Sequence, residues 1–287
     1  MSKGKQASIY RVAVITVATL VVYLSVCPSL AVAARGDDKT RTRAEKALRD
    51  GEYEAAIKLF QQLLAKDSKD INARLGISFA LLKMRNLQDA FDQAARVIAI
   101  DPLNARAHAL LGGAVLASGD FRTSVEEFRT ALSLKEDEAL AIAGLAMVDF
   151  YENRLNACLG GLRRAIAIDS REPDYIFSLG QAAARNERFK EAADAYERFL
   201  LIAPRTDEDR RARIRGLIDF LRYLGKRGSL YSTGGANRTV VTFEATDYRP
   251  VIPVRLNGSK QELRFVLDTG SGMSVISEET ARRFRLH

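Results

Sequence analysis

Small residues recur through this chain at a fixed interval. Ala56, Ala90, Ser124, Cys158 and Ala192 are each 34 residues apart, and Ala44, Ser78, Gly112, Ala146 and Gly180 keep the same interval. Bulky residues follow it too, at Tyr53, Leu87, Phe121, Leu155 and Phe189 and at Leu64, Ile98, Leu132, Ile166 and Leu200. Four columns in phase over five copies constrain the fold more than any composition does, because a repeat of this length is one supersecondary unit that must stack on its neighbours to bury a core. Within a copy the spacing is helical. Ala56, Phe60, Leu63 and Leu64 fall at i, i+4, i+7 and i+8, one stripe of a 3.6-period helix. A turn signal stands in the middle of a copy, as in Gly51-Glu52-Tyr53 and Gly119-Asp120-Phe121, and a proline near its end, at Asp101-Pro102 and Pro204. Each unit therefore reads as two antiparallel helices, with the small columns at the close approach and the large ones between neighbours. Cys158 lies in a small column and is expected in the core.

This pattern resembles the tetratricopeptide repeat family, in five copies from about Asp38 to Arg205. Thr206 to Gly225, with Ile214, Leu217, Ile218, Leu221 and Leu224, is then an extra helix covering the open end of the stack. The resemblance implies that the first helix of each pair lines a concave groove that grips a protein or peptide. The second and third pairs would present Phe79, Leu82 and Arg106 there, the fourth Met147, Phe150 and Tyr151, and the fifth Phe177, Gln181 and Arg185. That is a mixed, aromatic-rich surface, unlike a Lys and Asn clamp for a terminal carboxylate. The competing reading is that some of these side chains pack against the rest of the chain.

The period changes after Gly225. Residues 226–237 are polar and glycine-containing and read as a linker. Thr239–Phe243, Val251–Leu256 and Glu262–Leu267 are β-rich runs, and Leu256-Asn257-Gly258-Ser259 is a strong hairpin signal. The third run passes directly into Asp268-Thr269-Gly270-Ser271-Gly272, followed by Met273-Ser274-Val275-Ile276-Ser277. An apolar strand that delivers an acid into a Gly and Ser turn holds the carboxylate on a rigid base, with backbone amides and hydroxyls around it. Such a group suits general acid–base work. The bland alternative is an acid that caps a turn.

Asp-Thr-Gly-Ser after that strand, with Val251-Ile252-Pro253-Val254-Arg255-Leu256-Asn257-Gly258 upstream, resembles retropepsin-like aspartic proteases of bacterial type. The resemblance implies a homodimer that pairs two aspartates to activate a water, one of them protonated. By position, Asp268 is the catalytic acid or base and Thr269 buttresses the loop across the dimer. Gly270 lets the backbone approach closely, and Ser271 can orient the carboxylate. The expected fold is thus mainly α: a solenoid of five helix pairs with a capping helix over 38–225, then a partial all-β acid-protease domain over 238–287. Only the first half of that domain is expected here. The flap and the second apolar-Gly strand are not found after Asp268, so weak or absent activity is expected of these residues alone. Two function classes follow: an exported aspartic endopeptidase whose repeats recruit a protein, and a non-catalytic scaffold with a vestigial β segment.

Residues 1–33 stand apart. Lys3, Lys5 and Arg11 precede an uncharged run from Val12 to Cys27, then Pro28 and Ala31-Val32-Ala33. This is the layout of a secretory signal with cleavage after Ala33, which would place the rest in the periplasm or another extracytoplasmic space. An uncleaved anchor through residues 12–27 is the other reading and the sole membrane contact expected; Val26 beside Cys27 argues against lipidation there.

Charge and chemistry exclude other classes. The formal charge is +8, from 44 Lys and Arg against 36 Asp and Glu, with no basic and aromatic stripe of the kind that holds nucleic acid. The basic run from Arg205 to Arg227 is interleaved with acids and reads as a solvated helix face. Two cysteines and two histidines, His108 and His287, have no metal-site spacing and nearly rule out a histidine triad. No metal and no cofactor are expected.

Overall fold

The computed structural model describes residues 37–227, 238, 240–246, 248–268 and 275–286. The expected export segment, most of the linker and Thr269, Gly270 and Ser271 lie outside the described residues. The chain divides into two compact units, the first ending at Lys226 and the second beginning at Arg227.

The first unit is helical throughout. Helix α1 (37–50) pairs with α2 (Tyr53–Lys66), α3 (Ile71–Lys83) with α4 (Leu87–Ile100), and α5 (Ala105–Ser118) with α6 (Phe121–Leu134). α7 (Ala139–Tyr151) pairs with α8 (Leu155–Ile168), α9 (Pro173–Arg185) with α10 (Phe189–Ile202), and α11 (Glu208–Gly225) covers α10 through Ile214, Ile218 and Leu221. The five pairs and the cap expected from the columns are all present. Both small columns are buried end to end, Cys158 included. Burial pushes the Cys158 thiol up to about 11, so it stays protonated and packs as a small apolar group. Phe121 departs from its column: it is exposed and meets the exposed Tyr151 edge-on at 5.4 Å instead of filling the space between pairs.

The helices stop for reasons that residue type only partly shows. Gly51, Arg85, Gly119, Asn153 and Glu187 all have φ between 56° and 98°, the left-handed turn that reverses the chain between the two helices of a pair. They form a fifth column at the same interval. Asp70, Asn104 and Glu172 then start α3, α5 and α9 by accepting hydrogen bonds from backbone N–H groups of Ala73, Ala107 and Asp174.

Rings and glycines interlock both within pairs and between neighbouring pairs. A Cβ added to Gly144 would lie 2.1 Å from the Phe128 ring, one on Gly180 2.5 Å from Tyr196, and one on Gly76 2.5 Å from Phe60. Each glycine of a first helix thus admits an aromatic ring of a second helix. The curvature that results brings the ends together. A Cβ on Gly51 would meet Thr206 Oγ1 at 2.4 Å and Pro204 Cβ at 2.7 Å, so the first turn of the solenoid touches the turn before α11.

The second unit is an antiparallel meander of β1 (Glu244–Thr246), β2 (Arg249–Arg255) and β3 (Glu262–Val266), followed by the short helix α12 (Glu278–Arg283). β2 and β3 pair from Val251↔Val266 to Arg255↔Glu262, and Asn257 and Gly258 both have positive φ in the turn between them. That is the backbone an Asn-Gly hairpin favours. The first strand differs from expectation: it is Glu244–Thr246, and Val240 to Phe243 are unpaired and exposed. The cause lies in β2. Pro250 accepts from the Leu267 N–H, so alternate residues from Pro250 face β3, and Pro253 faces the β1 edge. Proline has no N–H to give there, and the ladder stops short of it. The final helix, Glu278–Arg283, is only six residues long. Ser277 caps its start, and Arg285 turns left-handed at its end while the Leu286 N–H reaches the Ala281 carbonyl.

Candidate functional site

The inner side of the helical unit holds two cavities of about 630 and 840 Å³. Tyr53, Phe79, Lys83, Glu172 and Pro204 line both, so these residues form the partition between them. Lys83, near the end of α3, reaches across the channel to the start of α9. There it pairs with Glu172 and, at 2.6 Å, with Asp174. Asp174 also takes Arg210 of α11 at 2.7 Å, and Arg210 pairs in turn with Asp207. The Lys83 and Glu172 side chains are only 11% and 12% exposed, so this pair is largely withdrawn from water, whereas Asp174 and Arg210 are 37% and 29% exposed.

Electrostatics and aromatic faces reinforce it. Burial works against the Lys83 ammonium, but Asp174 and Glu172 raise it above the usual lysine range. Burial would likewise raise the Asp174 carboxyl, yet Lys83 and Arg210 outweigh this and hold it down to about 2. Lys83 and Arg106 lie over the Phe79 ring, 4.9 and 5.4 Å from its centroid, and Arg210 lies over Phe177 and Phe199 at 5.1 and 5.2 Å. Arg106 is tied to the buried Glu138 at 2.7 Å.

Of the nine groove residues expected, four line the channel. Phe79 borders both cavities, Arg106 the smaller, and Leu82 and Met147 the larger. The other five do not line these two cavities. Phe177 packs on Tyr196 and Phe199, and Arg185 covers the Phe150 ring at 5.0 Å and donates to the Phe150 carbonyl. Tyr151 and Gln181 are exposed. Several aromatic faces that the groove would offer are therefore already covered by the chain's own cations.

In the second unit Asp268 stands two residues beyond the end of β3, exposed, where the paired strand releases the chain. The hairpin behind it is anchored. Leu267 is bonded to Pro250, and Asn257 Nδ2 donates to the Phe284 carbonyl of the closing turn, with Phe284 and Val251 buried. Among the described residues no group of three or more His, Cys, Asp and Glu is placed to hold a metal ion.

Tetratricopeptide repeat family models match residues 47–114 and 159–208. The helical unit is a tetratricopeptide-repeat solenoid. An aspartyl protease family model matches residues 252–287, from within β2 onward, so Asp268 falls inside it. The structure is similar to a thermophilic tetratricopeptide-repeat protein of Thermus thermophilus, with a TM-score of 0.52 and 19% identity over 63% of this chain and 97% of that one. It is also similar to the APC/C hetero-tetramer Cut9–Hcn1, with a TM-score of 0.51 and 14% identity over 68% of this chain and 41% of that one. These likenesses concern the fold. A search of the curated proteins finds no match.

Sequence reasoning missed Lys83, Glu172, Asp174 and Arg210 of the tetratricopeptide-repeat channel. A signal existed for two of them. Lys83 precedes the groove residues Tyr151 and Arg185 by 68 and 102 residues, two and three periods, and Asp174 follows Arg106 by two. Extending the column of each groove residue would have placed both on the concave face. Nothing in the spacing shows that they touch.

The depressed Asp174 carboxyl gives the solenoid an acid dependence of definite sign. Its folded value of about 2 lies below the unfolded value of ~3.9. The stability it contributes is therefore present in full above the unfolded value and lost as pH falls through that window toward the folded one. Melting temperatures followed downward from neutral pH should drop across this range, and Asp174→Asn should flatten the drop. An identical acid profile in the variant would refute the assignment.

Proposed function

We propose that the tetratricopeptide-repeat unit captures a protein, and that the β unit supplies the aspartate of an aspartic-type peptidase acting on it. The observation that supports this most is the position of Asp268. A register-fixed hairpin delivers it at the end of β3, inside the segment that matches the aspartyl protease family model. In that chemistry Asp268 takes a proton from water while a second, protonated carboxyl gives one to the peptide carbonyl. On this reading the second aspartate comes from another copy of the chain, and Thr269, Gly270 and Ser271 shape the loop that pairs the two. Residues 1–33 direct export: a chain produced with them should be recovered from an extracytoplasmic fraction beginning at Ala34.

The test is the full chain acting on an unfolded protein at mildly acidic to neutral pH, with and without an aspartic-protease inhibitor. Weak cleavage by the parent is expected, abolished by Asp268→Asn and by the inhibitor. Removing residues 238–287 provides the second arm. If the truncated chain keeps the biological role and the parent cleaves nothing, the scaffold reading replaces this one.

A further inference from the structure

We propose that Glu172 and Asp174 occupy the channel as the chain's own substitute for an acidic partner segment, and that a partner bearing carboxylates opens the solenoid by displacing them from Lys83 and Arg210. The inference rests on the channel being the protein-binding surface. It adds the chemistry of the partner and the way the surface is unmasked.

Three observations carry it. First, the cluster closes the passage. Lys83 and Glu172 stand in the partition between the two cavities, so an extended segment can run from one to the other only when they part. Second, both blocking carboxylates come from one short stretch, Glu172-Pro173-Asp174, at the start of α9. One local movement there withdraws both. Third, what remains has a cationic excess: Arg49, Lys83, Arg106 and Arg171 against Glu45 and Asp169 in the smaller cavity, and Lys83, Arg85, Arg210 and Arg213 against Glu54 and Asp207 in the larger. With those two carboxylates gone, Lys83 loses both of its partners and Arg210 keeps only Asp207. Arg49 and Arg171, which line the smaller cavity, make no ion pair among the described residues. Arg106 stays tied to Glu138. Behind these cations lie Leu48, Leu75, Phe79 and Ile202. The opened channel therefore fits a segment that alternates carboxylates with apolar side chains, and it disfavours a basic one, whose charges would meet unpaired cations.

Displacement has a thermodynamic consequence. A partner that must first expel internal carboxylates binds more weakly than the open channel would allow, by the fraction of molecules already open. Neutralising the internal carboxylates should remove that handicap.

The experiment measures fluorescence anisotropy of a short fluorescein-labelled peptide alternating glutamate and leucine. A lysine and leucine peptide is the control, and the protein is the full chain. The parent should prefer the acidic peptide. Glu172→Gln with Asp174→Asn should bind it about tenfold more tightly and show a larger radius of gyration in X-ray scattering. Lys83→Gln should also expand the solenoid without gaining affinity, with helicity by circular dichroism confirming that both variants fold. Equal affinity in parent and double variant would overturn the displacement while leaving the channel as a binding surface. No binding by any form would overturn both. Preference for the lysine peptide, or self-association of the double variant in place of peptide binding, would overturn the assignment of an acidic partner.

Discussion

Phe128→Ala is expected to destabilise the tetratricopeptide-repeat unit by about 3–5 kcal/mol, read as a shift of the urea midpoint. The Phe128 ring is fully buried, in a slot made by two glycines. Cβ atoms on Gly112 and Gly144 would lie 2.9 and 2.1 Å from it. Removing the ring leaves a void that neither glycine has a side chain to fill. The cost therefore belongs at the upper end of the range for aromatic truncations. The same geometry makes the substitutions interdependent. Gly144→Ala alone should be strongly destabilising, because the new methyl meets the ring, whereas combined with Phe128→Ala it should be tolerated. Completing the double-mutant cycle should return a coupling of about 0.5–3 kcal/mol. Additive effects, or a midpoint that barely moves with Phe128→Ala, would contradict the slot.

Lys83→Met is expected to cost about 3 kcal/mol, because it keeps the stem and removes the charge that neutralises the largely buried Glu172 and the partly exposed Asp174. Arg210 still holds Asp174, but Glu172 loses its charged partner. Replacing all three groups, with Lys83→Met, Glu172→Gln and Asp174→Asn together, should recover most of the loss, since no uncompensated charge is left behind. Denaturation curves of the parent, the single and the triple variant decide the matter; a triple variant no more stable than the single one would show that Lys83 acts through packing alone.

The features that were legible in the sequence are those set by local contacts. Ala56, Ala90, Ser124, Cys158 and Ala192 repeat because each meets its own neighbouring helix at the same depth, and every one is buried. Asn257-Gly258 and the strand before Asp268 were legible for a similar reason, since a two-residue turn fixes register nearby. The left-handed column was legible only at Gly51 and Gly119, because Arg85, Asn153 and Glu187 share their backbone geometry without the residue type. The Lys83 cluster escaped for a different reason. Lys83 and Glu172 are 89 residues apart, and their meeting depends on small rotations accumulated over several pairs, which no single repeat encodes. Phe177 and Phe150 belonged to the expected groove by position, but the cations that cover them come from α11 and α9. In the second unit, the strand expected at Thr239–Phe243 failed because the limit was set by Pro253 on the adjacent strand.

An open-ended stack of repeats can gain or lose a copy with little effect on the rest, because each copy contacts only its neighbours. This chain has surrendered that freedom. Gly51 must find Pro204 and Thr206, and Lys83 must find Glu172 and Asp174, which ties the first and second pairs to the fifth. Inserting or deleting one 34-residue unit would rotate these partners out of reach, so the closure works as a counter that accepts five copies and rejects four or six.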